Sequence, residues 1–303
     1  MSPIIHILTG PTAVGKTDLA IAWAEAHDAE IISCDSLLVY CGMDIGTAKP
    51  PPAAMKKVVH HLIDSVQVSQ RFSVKHYQEA AVHATESIIS RGKKVLVTGG
   101  SGFYLKTFFK PVIDAVEADA SIVNKVDQIE KEQGLAGLLS ALEKCDPNCK
   151  AELDINNPRR VSKALQRCLA SGKTLSMLKA EFAQVKSPFN KYIKKVILLE
   201  RDPDDLTRRI EQRVDSMINN GLVAEVEQLI AAKLEANPSA AAAIGYRETI
   251  DYIKSGSRDL DSLKQLLCLN TRRLVAKQRK WFRNHLEPDR ILNLSHEHGP
   301  IEF

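Results

Sequence analysis

No stretch of this chain stays apolar for the roughly 18 residues that a membrane span requires, so no membrane-embedded part is expected. Nor do residues Met1 to Leu8 show a basic segment followed by a long apolar one, and no secretory signal is expected. Cysteine is sparse: Cys34, Cys41, Cys145, Cys149, Cys168 and Cys268 in 303 residues cannot form the framework of a small disulfide-stapled fold. Cys145 and Cys149 are the one close pair, and no second Cys/His pair nearby completes a zinc site. All six read as reduced thiols of a cytoplasmic protein. The 15 Gly and 13 Pro are too few for a fibrous or linker-rich chain. A large excess of one charge is also missing. Lys and Arg total 41 against 37 Asp and Glu, a net charge of +4 that does not by itself indicate a nucleic-acid partner.

What is present is the composition of an ordinary soluble protein, 44% hydrophobic and 26% charged, long enough for one large domain or two modest ones. The run Pro3–Thr9 predicts a buried strand, Thr17–Ala26 a helix, and Ala29–Ser33 a second strand. Val74–Ile89 has the spacing of an amphipathic helix, and Val95–Thr98 predicts a third strand. Strands alternating with helices imply a parallel sheet covered on both faces. From about Val116 the pattern is helical only: Ser121–Gln133, Leu135–Lys144, Arg159–Ala170 and Leu175–Phe182. A strand returns at Ile193–Glu200, helices follow from Asp205 to His285, and Arg290–Leu294 predicts a last strand. The expected fold class is therefore α/β. A parallel-sheet core, residues 1–115 and 190–303, is interrupted by a small all-helical insertion at 116–189.

Gly10-Pro11-Thr12-Ala13-Val14-Gly15-Lys16-Thr17 matches the phosphate-loop pattern G-x-x-x-x-G-K-[ST], with a strand before it and a helix after it. The glycines allow backbone conformations that aim successive N–H groups at phosphate oxygens. Lys16 adds a cation, Thr17 offers a hydroxyl to Mg²⁺, and the helix N-terminus adds partial positive charge. These eight residues are the expected diphosphate- or triphosphate-binding site. They do not fix the reaction.

Nucleotide triphosphatases usually carry an acid at the end of a later strand, where it helps to hold Mg²⁺. Here that strand reads VLVTGGSG and has none. The acid stands instead at the end of the second strand, as Asp35. Carboxyl ends of parallel strands line the ligand crevice, so Asp35 is expected beside the loop, as base, water-mediated metal ligand or substrate anchor. The bland alternative is a helix cap. A second charged feature is the block Arg272 to Arg283, with six basic residues and no acid, which reads as either a solvated helix face or a polyanion-binding surface.

The phosphate loop, DSLLVYCGMDIGTAKP (Asp35–Pro50), HHLID (His60–Asp64), GGSGFYLK (Gly99–Lys106), RRIEQRVDSMINNGLVAEVEQL (Arg208–Leu229), IGYRE (Ile244–Glu248) and TRRLVAKQRKWFRN (Thr271–Asn284) together resemble the tRNA dimethylallyltransferase family, bacterial type. The match runs in order over nearly the whole chain and is weakest from about Lys110 to Asp154. The resemblance implies transfer of a dimethylallyl group from dimethylallyl diphosphate to N6 of the adenosine just 3′ of the anticodon, in tRNAs reading codons that begin with U. Pyrophosphate is the leaving group, which accounts for a phosphate loop without hydrolytic apparatus.

The same resemblance implies residue roles. Asp35 takes the place of the general base. Ser101 stands where the family usually has Thr and is expected to support the bridging oxygen of the departing pyrophosphate. Arg213 is expected to neutralise charge on that group; the alternative is a surface arginine sharing its helix face with Arg209. Thr17 is the expected Mg²⁺ contact, and Mg²⁺ the expected cofactor. Four segments match tRNA-contacting ones: Asp35, Ser36, Leu37 and Leu38; Arg159, Arg160, Val161, Ser162 and Lys163; Ala242, Ala243, Ile244, Gly245, Tyr246 and Arg247; and Ala276, Lys277, Gln278, Arg279, Lys280, Trp281, Phe282 and Arg283. Within a helix Thr271–His285, Arg272, Arg279 and Arg283 fall near one face, while Leu274, Trp281 and Phe282 fall toward another as packing residues. Ala276 stands where a basic residue is expected. The partners implied are the anticodon stem-loop of tRNA and dimethylallyl diphosphate, with the protein acting as a monomer.

Two rivals remain on the residues alone. A small-molecule kinase of the phosphate-loop class also suits an Asp after the second strand, but needs neither the basic helix nor IGYRE. A nucleotide-switched RNA-binding protein would need an acid on the third strand to sense a γ-phosphate.

Overall fold

The computed structural model describes residues 2–113 and 116–303. Six strands form one parallel sheet: β1 (Ile4–Thr9), β2 (Ala29–Ser33), β3 (His60–His61), β4 (Lys94–Gly99), β5 (Ile193–Glu200) and β6 (Arg290–Asn293). Their order is β3-β2-β4-β1-β5-β6. β1 lies at the centre, with Ile5 opposite Val95 and Thr9 opposite Gly99 on one side, and Ile4 opposite Ile193 on the other. Such strands are apolar nearly throughout because both faces are covered. Ile5 and Ile7 face one hydrophobic layer, Leu8 the other.

The layer holding Leu8, Ile31, Leu96 and Leu199 packs against α1 (Lys16–Ala26) through Ala20, Ile21, Trp23 and Ala24. The layer holding Ile5, Ile7, Val95, Val97 and Leu198 packs against Tyr77, Ala81 and Ile88 of α2 (Val74–Ser90) and Tyr104 and Leu105 of α3 (Gly102–Lys106). α2 starts at Ser73, whose hydroxyl accepts from the His76 amide while the His76 ring accepts from the Ser73 amide, a reciprocal cap.

The expected third strand at Val95–Thr98 is in fact the fourth. Edge strand β3 precedes it and pairs with Ile31 and Ile32 of β2. Two residues are too few to show a period of two. Glu30, fully covered at the centre of β2, is held by His61 of β3 at 2.7 Å and by Arg91 at 2.7 Å. These bonds keep its carboxyl below the usual carboxylate range against the cost of burial.

Residues 111–187 form a compact unit of their own, and residues up to Lys110 together with 188–303 form the other. The expected boundary at residue 115 lies outside the described residues. The smaller unit holds α4 (Ala120–Cys145), α5 (Pro158–Ser171) and α6 (Leu175–Gln184). α4 is broken at Gly134, whose φ of 60° and ψ of −153° leave helical space, where the sequence pattern separated two helices. Its core is Val126, Leu138, Leu142, Val161, Leu165, Cys168 and Leu175. Buried Asp146 ties that unit together by accepting from the Asn148 and Leu175 amides. All six cysteines are free thiols.

In the larger unit, four helices of ten or more residues follow β5: α7 (Pro203–Asn219), α8 (Leu222–Ala231), α9 (Tyr246–Ser255) and α10 (Leu260–His285), with short helical turns at Leu234–Ala236 and Pro238–Ala241 between α8 and α9. With Val39, Tyr40 and Met43 from the chain after β2, they enclose a third core. Among the described residues no helix is long and apolar enough to cross a membrane.

Candidate active site

β1 ends at Thr9, the loop 10–15 follows, and α1 opens at Lys16. Gly15 caps α1 at φ 106°, a conformation that residues with a side chain rarely adopt. Val14 is buried in the core below and anchors the loop from beneath. Cationic side chains take up the loop's carbonyls. Lys16 Nζ donates to the carbonyls of Gly10 and Pro11 at 2.9 and 2.8 Å. Arg209 of α7 donates to the Ala13 carbonyl at 2.9 Å, and Arg201 to that of Val14 at 2.8 Å. Gln278 of α10 accepts from the Thr12 amide and donates to the Gly100 carbonyl, both at 2.9 Å, so it bridges the loop to the turn after β4. The amides of Ala13 and Gly15 make no hydrogen bond among the described residues. A loop whose carbonyls are tied back and whose amides remain available is built for an anion.

The loop lines a cavity of about 360 Å³ at the carboxyl ends of β1, β2 and β4. Its walls include Lys16, Thr17, Asp35, Leu38, Thr47, Ile63, Arg209, Arg213 and Gln278. Two hydroxyls on those walls, Ser33 and Thr98, are partners in register and have no hydrogen-bond partner among the described residues. Buried hydroxyls of this kind are satisfied when a polar ligand or water fills the space.

Asp35 stands two residues past the end of β2. One carboxylate oxygen accepts from the Leu37 amide at 2.9 Å, the local turn that Asp favours. It forms no ion pair among the described residues, although Lys16 and Arg213 share its cavity. Burial pushes the Lys16 amine down to about 8, with the Asp35 charge opposing and Arg213 adding to the fall. Burial likewise lowers Arg213 from its usual range, again opposed by Asp35. An arginine remains a cation under such a shift. The Arg213 guanidinium donates to the Thr47 carbonyl at 2.8 Å, so it is no free surface residue. Ser101 lies beside the Asp35 turn: its hydroxyl accepts from the Ser36 amide at 3.1 Å and lies 3.5 Å from the Ser36 hydroxyl. Burial pushes the neighbouring Cys34 thiol up to about 12, which removes it as a nucleophile near neutrality.

The IPP transferase family matches residues 38–285. The tRNA dimethylallyltransferase of Opitutus terrae is 49% identical over 287 residues, covering 95% of this chain and 92% of that one. That of Thermotoga maritima is 36% identical, covering 93% and 90%. The chain belongs to the IPP transferase family. Solved structures agree. The tRNA isopentenylpyrophosphate transferase of Bacillus halodurans superposes with a TM-score of 0.69 at 32% identity, over 97% of this chain and 90% of that one. A eukaryotic dimethylallyltransferase acting on tRNA gives 0.83 at 26% identity, over 97% of this chain and 75% of that one.

The segments expected to meet tRNA are unevenly exposed. Val161 and Ser162 are buried within the smaller unit, while Arg159, Arg160 and Lys163 are exposed. Gly245, Tyr246 and Phe282 are buried as well, so those side chains pack the protein itself. Trp281 stacks on His285 and crowds Gly102. The face expected to carry Arg272, Arg279 and Arg283 is partly spent. Arg279 pairs with Glu200 at 2.9 Å, and Arg272 reaches Glu211 at 3.4 Å. Ala276, Lys277, Lys280 and Arg283 stay exposed.

Sequence reasoning missed three contributors to the cavity. In the sequence Arg209 reads as a face-mate of Arg213, Gln278 as one of the RNA-contacting residues, and Lys49 as part of a motif. Lys49, almost wholly covered, pairs with Asp44 and Asp64 and donates to the Tyr40 carbonyl at 3.1 Å. The available signal was a run of motif residues, MDIGTAKP, with two opposite charges and no helical or strand period.

Proposed function

We propose that this chain transfers a dimethylallyl group from dimethylallyl diphosphate to N6 of the adenosine 3′ of the anticodon, in tRNAs reading codons that begin with U. Family membership supplies the reaction class. The observation that carries the residue roles is one cavity lined by the phosphate-loop lysine, a half-buried arginine and a carboxylate with no ion-pair partner among the described residues. The strand β4 brings no acid to that cavity. A site so built holds a diphosphate and offers a base, with no carboxylate on β4 to hold a metal for hydrolysis.

In this mechanism the loop amides and Lys16 bind the diphosphate. The adenine N6 attacks C1 of the dimethylallyl group, forming the N–C bond as the C–O bond breaks, and the N6 proton passes to Asp35. Arg213 and the Ser101 hydroxyl stabilise the negative charge that grows on the leaving pyrophosphate. Leu38, Ile63 and Ala48 provide apolar wall for the allylic carbons. The donor set suits Mg²⁺ in its usual form, which keeps several waters and binds through few protein groups plus substrate phosphates. The exposed Thr17 hydroxyl would hold it, and bound there it would neutralise phosphate charge. Exposed Arg159, Arg160 and Lys163, with Arg247, Lys277, Lys280 and Arg283, contact the anticodon stem-loop as phosphate-neutralising cations. The target base reaches the cavity by extrusion from its stack. The protein works as a cytoplasmic monomer.

A single-turnover assay with labelled dimethylallyl diphosphate, Mg²⁺ and unmodified tRNA tests this reading. Label in the tRNA, lost when the target adenosine is replaced, is the expected result. ATP consumption with a small acceptor, and no label in tRNA, would overturn it.

A further inference from the structure

Arg213 makes its hydrogen bond to a backbone carbonyl, that of Thr47, and to no other group among the described residues. The guanidinium can only be as well placed as that carbonyl. The chain from Asp44 to Thr47 is not part of any helix or strand; it is a turn, closed by the Ala48 and Lys49 amides donating to the Ile45 and Asp44 carbonyls and by the Thr47 hydroxyl donating to the Met43 carbonyl at 2.6 Å, and its own amides face outward from that closure. Its amides are instead captured by one side chain. Glu225, in the first turn of α8, accepts from the amides of Asp44 at 3.1 Å, Ile45 at 2.6 Å and Gly46 at 3.1 Å. The same carboxylate accepts from the Tyr246 hydroxyl at 2.8 Å. The Tyr246 ring lies so close to Gly46 that a Cβ there would stand 2.6 Å from it. The loop is thus clamped between a carboxylate and an aromatic ring that hold each other.

We infer that Glu225 and Tyr246 are positioning residues for the transfer reaction, acting through the Asp44–Thr47 loop to aim Arg213 at the leaving diphosphate. The inference rests on the reading of the cavity given above. Glu225 touches no reacting atom. A carboxylate suits the task because it has acceptors only and here faces four donors. Each oxygen takes two of them: Asp44 and Ile45 on one, Gly46 and Tyr246 on the other. An amide in its place would turn a donor toward two donors. Tyr246 is wholly buried, and burial together with Glu225 raises its hydroxyl far above the ordinary range, so it stays a donor at every working pH.

The test is a double-mutant cycle on the full chain, with Glu225→Gln and Arg213→Ala alone and combined, read by single-turnover transfer. Expected for Glu225→Gln is a rate about thirtyfold lower, a tRNA KM within about twofold of the parent, and retained cooperative unfolding. In the Arg213→Ala background the same change should cost less than about threefold, because the link it serves is already cut. A thirtyfold loss in both backgrounds, or a raised tRNA KM at unchanged rate, would overturn the inference. Tyr246→Phe, which keeps the ring on Gly46, serves if Glu225→Gln does not fold. It should lower the rate about threefold, with the same non-additivity. Failure of the underlying reading looks different: Arg213→Ala alone would then transfer at the parent rate.

Discussion

The loop at residues 10–15 and the loop at residues 44–47 are fastened by opposite faces of the peptide. In the first, Lys16, Arg209 and Arg201 seize carbonyls, and the amides of Ala13 and Gly15 are left over. In the second, the Glu225 carboxylate seizes amides, and the Thr47 carbonyl is left over for Arg213. The charge of the fastening group follows from the work of the backbone group it leaves behind. A loop that binds an anion must spare its donors, so cations hold it. A loop that orients a cation must spare an acceptor, so an anion holds it.

The contrast breaks most visibly at Asp35, a cavity charge that serves neither loop. Asp35→Asn should slow transfer about a thousandfold, the middle of the range for a general base, with tRNA binding largely intact in a filter-binding assay. Equal losses in rate and in binding would make Asp35 an anchor. The two fasteners should then fail differently. Glu225→Gln should act on the rate, as argued above, whereas Arg209→Ala should loosen the first loop and raise the KM for dimethylallyl diphosphate about tenfold. If Arg209→Ala changed only the rate, the division of labour between the loops would be wrong.

The first loop should also show a pH dependence that the second lacks. Lys16 carries its charge below about 8 and loses it above. Only the charged form favours an anion, so pyrophosphate affinity measured by calorimetry, taken relative to a Lys16→Met variant so that the ligand's own titration cancels, should be flat from pH 6 to 7.5. It should fall toward about tenfold per pH unit above 8. Binding to a Lys16→Met variant should be weak throughout and lose that slope. The smallest effect belongs to α10, the helix proposed to meet RNA. Arg283→Ala should raise the tRNA KM about fivefold and lower the salt dependence of tRNA binding by about one phosphate contact. A change in rate alone would remove Arg283 from the RNA-contacting set.

The parts of this molecule that were legible in advance are those with a local signature. The phosphate loop has fixed spacing, five of the six strands have apolar runs, and Gly134 marks the break in α4 by its composition. β3 escaped because two residues carry no period, and its role depends on Glu30 far away in sequence. The fasteners escaped for a related reason. Arg209 reaches Ala13, Gln278 reaches Thr12, and Glu225 reaches Ile45, all across long stretches of chain. A polar side chain that captures a distant backbone group looks, in its own helix, like any solvated residue. Glu225 sits in VAEVEQL, where an acid reads as the wet side of an amphipathic helix. The segments proposed to meet RNA mix two faces. A contiguous segment on a helix must turn some residues inward: Phe282, expected to pack, is core, and so is Val161, which the segment match alone did not set apart.

Gln278 differs in kind from every other group that holds the first loop. It is uncharged, and its single amide presents an acceptor to Thr12 and a donor to Gly100. The separation between the phosphate loop and the turn after β4 is therefore gauged by the span of one planar group. Neither protonation nor added salt alters that span. Glutamate in its place would meet the Gly100 carbonyl with a second acceptor, and lysine would meet the Thr12 amide with a second donor. The floor of the crevice thus keeps its width across the pH range in which Lys16 gives up its charge.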